Sequence, residues 1–194
     1  MNETGKSIFR RNADARFATR WFVGEGIDIG AGTDSLKEYL EFFPLVQSLQ
    51  SWDLEQGDAQ YLSGVADDCF DFVYSSHCLE HMVDPRAALG NWIRVCRPGG
   101  HLVLLFPDVD LYEQGVFPST YNPDHKWTFT IQKRKSWSPK SVNVLEMLID
   151  VAGQVETLRV EQLNATFRYG ARRMDQTQTA LGESAIELVL KKLA

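Results

Sequence analysis

The stretch that decides the fold is GIDIGAGTD, residues 26 to 34. Its apolar first half predicts a short buried strand, and glycines at 30 and 32 allow the chain to turn sharply where that strand ends. One of the polar residues at 33 to 35 would cap the helix that follows. The stretch therefore predicts a strand, a tight loop and a helix in immediate succession.

Further strands are predicted by apolar and β-branched runs that follow along the chain. These runs are LVQSLQSWDL ending near Asp53, CFDFVYSS at 69–76, HLVLLFP at 101–107, QVETLRVEQL at 154–163 and SAIELVLKKL at 184–193. The last two runs have no helical pattern between them, so we expect an antiparallel hairpin at the edge of the sheet.

Helical patterns separate the earlier strands. One helix starts with Asp84 as N-cap and Pro85 in the first turn, and RPGG ends it. Ser138 and Pro139 predict the same kind of start for a helix that closes at Gly153. Strands that alternate with helices predict an α/β fold, with a doubly wound, mostly parallel sheet in three α/β/α layers.

The chain length of 194 residues predicts one domain that spans residues 1–194. Within it, aromatic and basic residues at 1–23 predict an N-terminal cap helix across the mouth of a site, or alternatively a helix that covers the edge of the sheet. The weakly patterned stretch 108–137 predicts a lid or substrate loop.

Composition excludes several classes of protein. No apolar run is long enough for a membrane span, and the N-terminus lacks the apolar core of a secretory signal, so we expect a cytoplasmic protein without a membrane partner. The three cysteines form no CxxC pair, which argues against a disulfide framework or a thiolate zinc site. A net charge of −6 disfavours nucleic acid as a partner. We expect a monomer or homodimer.

Acidic residues accompany the glycine turn. In an open α/β sheet, ligands bind at the carboxyl ends of the strands, where Gly30 and Gly32 fall. Asp28 lies inside the strand before the turn, where a carboxylate is costly unless it is paired. Asp53 ends the second strand at the distance expected of an acceptor for ribose hydroxyls, and Asp58 follows in GDA.

As an ordered set, these motifs resemble the class I S-adenosylmethionine-dependent methyltransferases, in particular the type 11 group. The motifs are GIDIGAGTD, WDL, QGDAQYL, CFDFVYSSHCLEHMVDP and RPGGHLVLLFPD. The resemblance implies a Rossmann-like methyltransferase fold with S-adenosyl-L-methionine as cofactor. One departure from the family pattern is that only residues 54 to 56 separate Asp53 from GDA, where the family usually has a helix.

The resemblance also implies the residues that bind the cofactor. Asp28, Gly30, Ala31 and Gly32 would hold its methionine end. Asp53 and Leu54 would bind the ribose, although the shortened connection leaves open whether Asp53 or Asp58 does so. The remaining implied contacts are Gly57, Asp58 and Ala59 near the adenine amine, and Ser76 and His77 near the sulfonium.

Two other sites are disfavoured. A nicotinamide dinucleotide fingerprint would need glycine where Ser35 stands. His77, Glu80 and His81 form the HxxEH pattern of an inverted zinc peptidase, but such a site needs both histidines on one helix and a third ligand. Because residues 77–83 directly follow a buried strand, we predict a loop or single turn there and no metal.

Methyl transfer needs alignment of the acceptor, methyl and sulfur, and a hydroxyl acceptor also needs a base. We predict His125 as the leading base and His77 as the second candidate. An NPPY-like tetrad is absent from the end of the third strand, which favours a small-molecule acceptor, methylated at oxygen. The alternative is a non-catalytic cofactor-binding partner or sensor.

Overall fold

The computed structural model describes residues 2–194, so Met1, the first residue of the predicted cap segment, lies outside the described residues. The strands are β1 (Gly24–Ile29), β2 (Val46–Trp52), β3 (Phe70–Ser76), β4 (Cys96–Pro107), β5 (Thr128–Thr130), β6 (Ser141–Asn143), β7 (Val155–Leu163) and β8 (Ala185–Lys192). The α-helices are α1 (Glu3–Asn12), α2 (Pro85–Val95) and α3 (Val144–Val151). Short helical turns complete the elements: a π-helix at Phe17–Trp21 and 3₁₀ helices at Leu36–Phe42, Leu79–His81 and Gln176–Gln178.

Six strands form the main sheet in the order β2-β1-β3-β4-β8-β7. The pairs β1–β2, β1–β3 and β3–β4 are parallel, while β8 is antiparallel to both β4 and β7. The predicted fold class, a doubly wound, mostly parallel sheet with an antiparallel hairpin at its edge, is therefore confirmed. β5 and β6 form a separate two-stranded parallel ribbon.

Apolar side chains cover both faces of the sheet, which gives the predicted three layers. Successive residues of β3 point to opposite faces: Val73 packs with Trp92 of α2, whereas Phe72 and Tyr74 pack with Phe17 of the π-helix. All five side chains are almost fully buried.

The third helix does not begin where its sequence suggested. The prediction of a start at Ser138 and Pro139 is wrong, because α3 begins at Val144 after Asn143 as N-cap. The Asn143 side chain accepts a hydrogen bond from the Glu146 backbone N–H at 3.1 Å. Residues 141–143 are instead drawn into β6 by parallel pairing with β5, and this tertiary pairing overrides the local cap signal.

The N-terminal segment forms two helical pieces rather than one. α1 and the π-helix lie on the sheet face that carries Phe72, and their side chains Ile8, Phe17 and Trp21 are buried there. Asp34, in the loop after β1, accepts hydrogen bonds from the Thr4 and Gly5 backbone N–H groups at 2.8 and 3.2 Å. The start of α1 is therefore held directly against the glycine turn.

The connection after β2 is short. The Gln56 and Gly57 backbone N–H groups donate to the Asp53 carbonyl at 2.9 and 3.2 Å, so a tight turn stands where the family pattern has a helix. Among residues 2–194, none of the helices is both long and apolar enough to cross a membrane.

Candidate cofactor site

The site is built on the turn that leaves β1. Gly30 and Gly32 have φ values of +75° and +51°, in the left-handed region that glycine tolerates best. The Gly30 N–H donates to the Trp52 carbonyl at 2.8 Å, which ties the turn to the end of β2. A β-carbon at position 30 would meet the Cys78 side chain at 2.6 Å, so the close approach of these two segments requires glycine there.

Asp28 is a buried carboxylate beneath the turn, with 1% of its surface exposed. Its Oδ2 accepts hydrogen bonds from the Ser35 hydroxyl at 2.7 Å and from the Leu36 N–H at 2.8 Å. Burial raises the pKa of Asp28 from 3.8 to about 6, although these hydrogen bonds oppose the shift. The ionised carboxylate is therefore poorly compensated, and a cation nearby would stabilise it.

A cavity of 240 Å³ opens between this turn and the end of β3. Its lining residues are Glu3, Thr4, Asp28, Gly30, Ala31, Gly32, Thr33, Asp34, Ser76 and His77. Six of the eleven residues predicted to bind the cofactor thus meet in one cavity. Its wall includes the carboxylates of Glu3, Asp28 and Asp34, of which Glu3 is paired with Lys6 at 2.7 Å.

His77 is part of the cavity wall. It has a φ of +52°, and its N–H donates to the Leu105 carbonyl at 2.8 Å. The imidazole is buried, yet neither ring nitrogen has a hydrogen-bond partner within the described chain. Burial would lower the pKa of His77, but the carboxylates of Glu3 and Glu80 outweigh it, so the pKa is raised above its ordinary value.

The other predicted cofactor contacts lie outside the lining of this cavity. Asp53 adjoins it, because its Oδ2 accepts from the Gly32 N–H at 3.0 Å. Asp58 is exposed, and its Oδ1 accepts from the Gln60 N–H at 2.8 Å. Leu54 is 90% exposed, and Gly57 and Ala59 accept at their carbonyls from the indoles of Trp52 and Trp92.

His125, predicted as the leading base, does not line the cavity that we assign to the cofactor. It is buried outside the lining of the 240 Å³ cavity, and its Nδ1 is 2.7 Å from Glu113 Oε1. Its ring stacks near Tyr112 at a centroid distance of 5.2 Å, and Tyr112 in turn lies 5.6 Å from the His77 ring. The two candidate bases are therefore separated by a tyrosine.

Sequence reasoning missed the contribution of α1 to the cavity. Glu3 and Thr4 line it because Asp34 holds the first turn of α1, instead of capping the helix after the glycine turn. Ser35 is the cap of that helix, since its hydroxyl accepts from the Lys37 N–H at 3.1 Å. The sequence analysis predicted only that residues 1–23 would cover the mouth of a site, and it named no residue of α1 as part of that site.

Residues 26–104 match the family model described as Methyltransferase domain. The match is consistent with a class I, type 11-like methyltransferase. The match begins within β1, before the glycine turn, and ends within β4, so the matched range includes Asp28, Asp53 and His77. No curated protein matches the chain significantly.

Solved structures share the fold of this methyltransferase domain. An S-adenosylmethionine-dependent methyltransferase from Archaeoglobus fulgidus is 18% identical, with a TM-score of 0.57 and coverage of 97% of this chain and 98% of that chain. The N-methyltransferase NodS from Bradyrhizobium japonicum, solved with S-adenosyl-L-homocysteine, is 14% identical, with a TM-score of 0.55 and coverage of 96% and 87%. The [4+2]-cyclase SpnF is 14% identical, with a TM-score of 0.56 and coverage of 97% and 81%. At these identities the likeness concerns the fold.

Proposed function

We propose that the protein binds S-adenosyl-L-methionine with its methionine end in the 240 Å³ cavity and transfers the methyl group to a small acceptor, at oxygen. The observation that carries the proposal is the meeting of the glycine turn, buried Asp28 and His77 in one acidic cavity. The methyltransferase domain over residues 26–104 supports the same cofactor.

Charge complementarity supports the cofactor. S-adenosylmethionine brings an ammonium and a sulfonium, and the cavity presents the carboxylates of Glu3, Asp28 and Asp34. A dinucleotide pyrophosphate would instead be repelled by this wall. Asp53 is bonded to Gly32 at the edge of the cavity and is our candidate for the ribose hydroxyls. Asp58, farther along the same loop, remains our candidate for the adenine amine.

The position of His77 supports oxygen as the acceptor atom. His77 lines the cavity, and neither of its ring nitrogens has a hydrogen-bond partner among residues 2–194. Its Nε2, which is 3.7 Å from Glu3 Oε2 of the cavity lining, is our candidate to take a hydroxyl proton. We therefore place His77 ahead of His125 as the base.

Calorimetric titration with S-adenosylhomocysteine and with S-adenosylmethionine tests the cofactor site. We expect binding of one equivalent and a ligand-dependent rise in melting temperature. Failure to bind either compound would refute the proposed function.

Transfer is tested with methyl-labelled cofactor and a panel of small hydroxylated and amine acceptors. With an identified acceptor, we expect His77→Asn to lower kcat about 10²- to 10⁴-fold, as loss of a general base does, while cofactor affinity changes little. His101→Asn, on β4 and away from the cavity, is the matched control. Cofactor binding without transfer to any acceptor would support the alternative of a cofactor-binding partner or sensor.

A further inference from the structure

A second group of buried polar side chains lies next to His77, outside the proposed cofactor cavity. Glu80 Oε1 is 4.0 Å from His81 Nε2 and 3.8 Å from His125 Nε2. One possible ligand atom from each of the three residues lies within 4.8 Å of the other two. In contrast to the sequence-based prediction of no metal at residues 77–83, we infer that Glu80, His81 and His125 form a binding site for one divalent transition-metal cation.

The two imidazoles are oriented as metal ligands usually are. His125 Nδ1 is 2.7 Å from Glu113 Oε1, and His81 Nδ1 is 3.2 Å from the Asp124 carbonyl oxygen. Each Nδ1 thus has an acceptor for its proton, which leaves the Nε2 lone pair directed toward Glu80. A second oxygen acceptor behind each ligating histidine is the arrangement that fixes its tautomer and raises its affinity for a metal.

The burial of these polar atoms favours the binding of a cation. The Glu80 carboxylate is 0% exposed, and within residues 2–194 neither of its oxygens has a hydrogen-bond partner. His125 Nε2 is buried without a partner in the same part of the chain. A buried carboxylate left without a hydrogen bond is costly, and a coordinated cation removes that cost.

His77 offers a competing explanation. Its Nδ1 is 3.4 Å from Glu80 Oε1, so a protonated His77 would pair with the carboxylate. That contact does not meet hydrogen-bond geometry, and it leaves His125 Nε2 unexplained. A cation between the three ligand atoms would satisfy both the Glu80 carboxylate and His125 Nε2.

The ligand types indicate the class of metal. Two imidazoles and one carboxylate suit zinc and other first-row divalent ions, whereas magnesium and calcium prefer oxygen ligands alone. With metal–ligand bonds of about 2.0 Å, tetrahedral geometry needs ligand atoms about 3.3 Å apart. The distances from Glu80 to His125 and to His81, 3.8 and 4.0 Å, must therefore shorten by about 0.5 and 0.7 Å, and the distance between the two histidines by up to about 1.5 Å. Three protein ligands also leave one position open.

The ligands come from two separate segments. Glu80 and His81 lie on the 3₁₀ turn after β3, and His125 lies between β4 and β5. The Lys126 and Trp127 N–H groups donate to the Glu80 carbonyl at 2.9 and 3.2 Å, so the segments already touch. A bound cation would fasten the predicted lid segment to the turn that carries His77. The metal site itself does not depend on the proposed methyl transfer.

The test uses the full chain, stripped of metal with a chelator and titrated with Zn²⁺ against a chromophoric chelator. We expect one equivalent to bind with a submicromolar Kd and to raise the melting temperature. Co²⁺ should give visible d–d bands without a thiolate charge-transfer band. Glu80→Gln, His81→Asn and His125→Asn should each weaken binding at least about 100-fold, and Glu113→Gln about 10- to 100-fold.

His101→Asn is the control, because it removes the chain's one histidine outside this region. Absence of one-to-one binding, affinity unchanged in Glu80→Gln and His81→Asn, or a thiolate band with Co²⁺ would each overturn the inference. Should His125→Asn fail to fold, His81→Asn decides, since that side chain is 28% exposed. S-adenosylhomocysteine titration of the metal-free protein tests the proposed function separately.

Discussion

The ionisation of the buried Asp28 side chain affects the folding stability of the free protein. Its ordinary pKa is 3.8, and burial raises this to about 6 in the folded chain. The stabilisation associated with its proton is fully present below pH 3.8 and is lost as the pH rises through 6. At neutral pH the ionised side chain therefore opposes folding by about 3 kcal/mol.

We expect Asp28→Asn to be at least as stable as the unmodified protein at pH 7.5 and to bind S-adenosylhomocysteine at least about 10-fold more weakly. The neutral amide avoids the burial cost, and its oxygen still accepts from Ser35 and Leu36, but it cannot attract the ligand ammonium. Thermal melting and calorimetry measure the two effects. Asp71→Asn, at the opposite end of β3, should leave affinity unchanged; equal loss in both variants would contradict this role.

Cofactor affinity should also depend on pH. Below about pH 6 the Asp28 carboxyl is protonated in the free protein, so the affinity for S-adenosylhomocysteine should fall as the pH drops from 7.5 to 5. Calorimetry across this range measures the fall. In Asp28→Asn the pH dependence should be much smaller, and an unchanged profile would show that another group is responsible.

At the scale of elements, the glycine turn and the turn after β3 are packed together. We expect Gly30→Ala to cost more stability than Gly99→Ala. Both positions have a positive φ, which costs about 1–2 kcal/mol for alanine. Of these two positions, only position 30 would place the added β-carbon against another side chain, that of Cys78 at 2.6 Å. This clash should add about 1–3 kcal/mol to the loss of stability.

Urea unfolding measures these two losses of stability, and S-adenosylhomocysteine affinity should fall in Gly30→Ala alone. Equal destabilisation of the two variants would mean that the close approach of the two turns is unimportant.

The sequence predicted elements best where one local signal dominates. The apolar runs predicted β1, β3 and β4, and the cap at Asp84 predicted the start of α2. Ser138 carried an equally good cap signal, yet pairing between β5 and β6 prevailed over it, and such pairing is not encoded locally.

The candidate site shows the same limit. Residues on the motifs, such as Asp28 and His77, were predicted as cofactor contacts from the resemblance to the methyltransferases, and both line the cavity. Glu3 and Glu113 were missed because they reach the region from α1 and from the segment after β4. Tertiary packing brings these distant stretches together, and the periodicity of the sequence does not predict that packing.

At the scale of the whole molecule, a buried ion cluster joins the N-terminus to the C-terminal strand. Glu187 of β8 is fully buried and contacts Arg11 of α1 at 3.2 Å and Arg10 at 2.7 Å. Burial alone would raise the pKa of Glu187, but the two arginines outweigh it and hold the pKa below its ordinary value. This contribution to stability is present above that ordinary value and is lost on acidification.

We expect Glu187→Gln to cost about 3–5 kcal/mol of unfolding free energy, because Arg11 is left buried without its counter-charge. Glu183→Gln, which removes the other partner of Arg10, should cost about 1 kcal/mol or less. Urea unfolding at pH 7 measures both. Similar values for the two would mean that the buried pair contributes no more than the outer one.

The single-domain organisation is also a prediction. Because α1 packs against the sheet and pairs with β8, the chain should unfold in one cooperative step. Circular dichroism and tryptophan fluorescence should give coincident urea transitions. Separate transitions would show that the N-terminal segment is an independent unit.

The link between Asp53 and the glycine turn has an entropic consequence. Asp53 Oδ2 is held by the Gly32 N–H, and Oδ1 is held by the Leu54 N–H at 2.8 Å. The rotamer of this carboxylate is thus fixed before any nucleoside arrives. Freezing a free side chain on binding costs about 0.5–1.5 kcal/mol, and a ribose that meets Asp53 would avoid that loss.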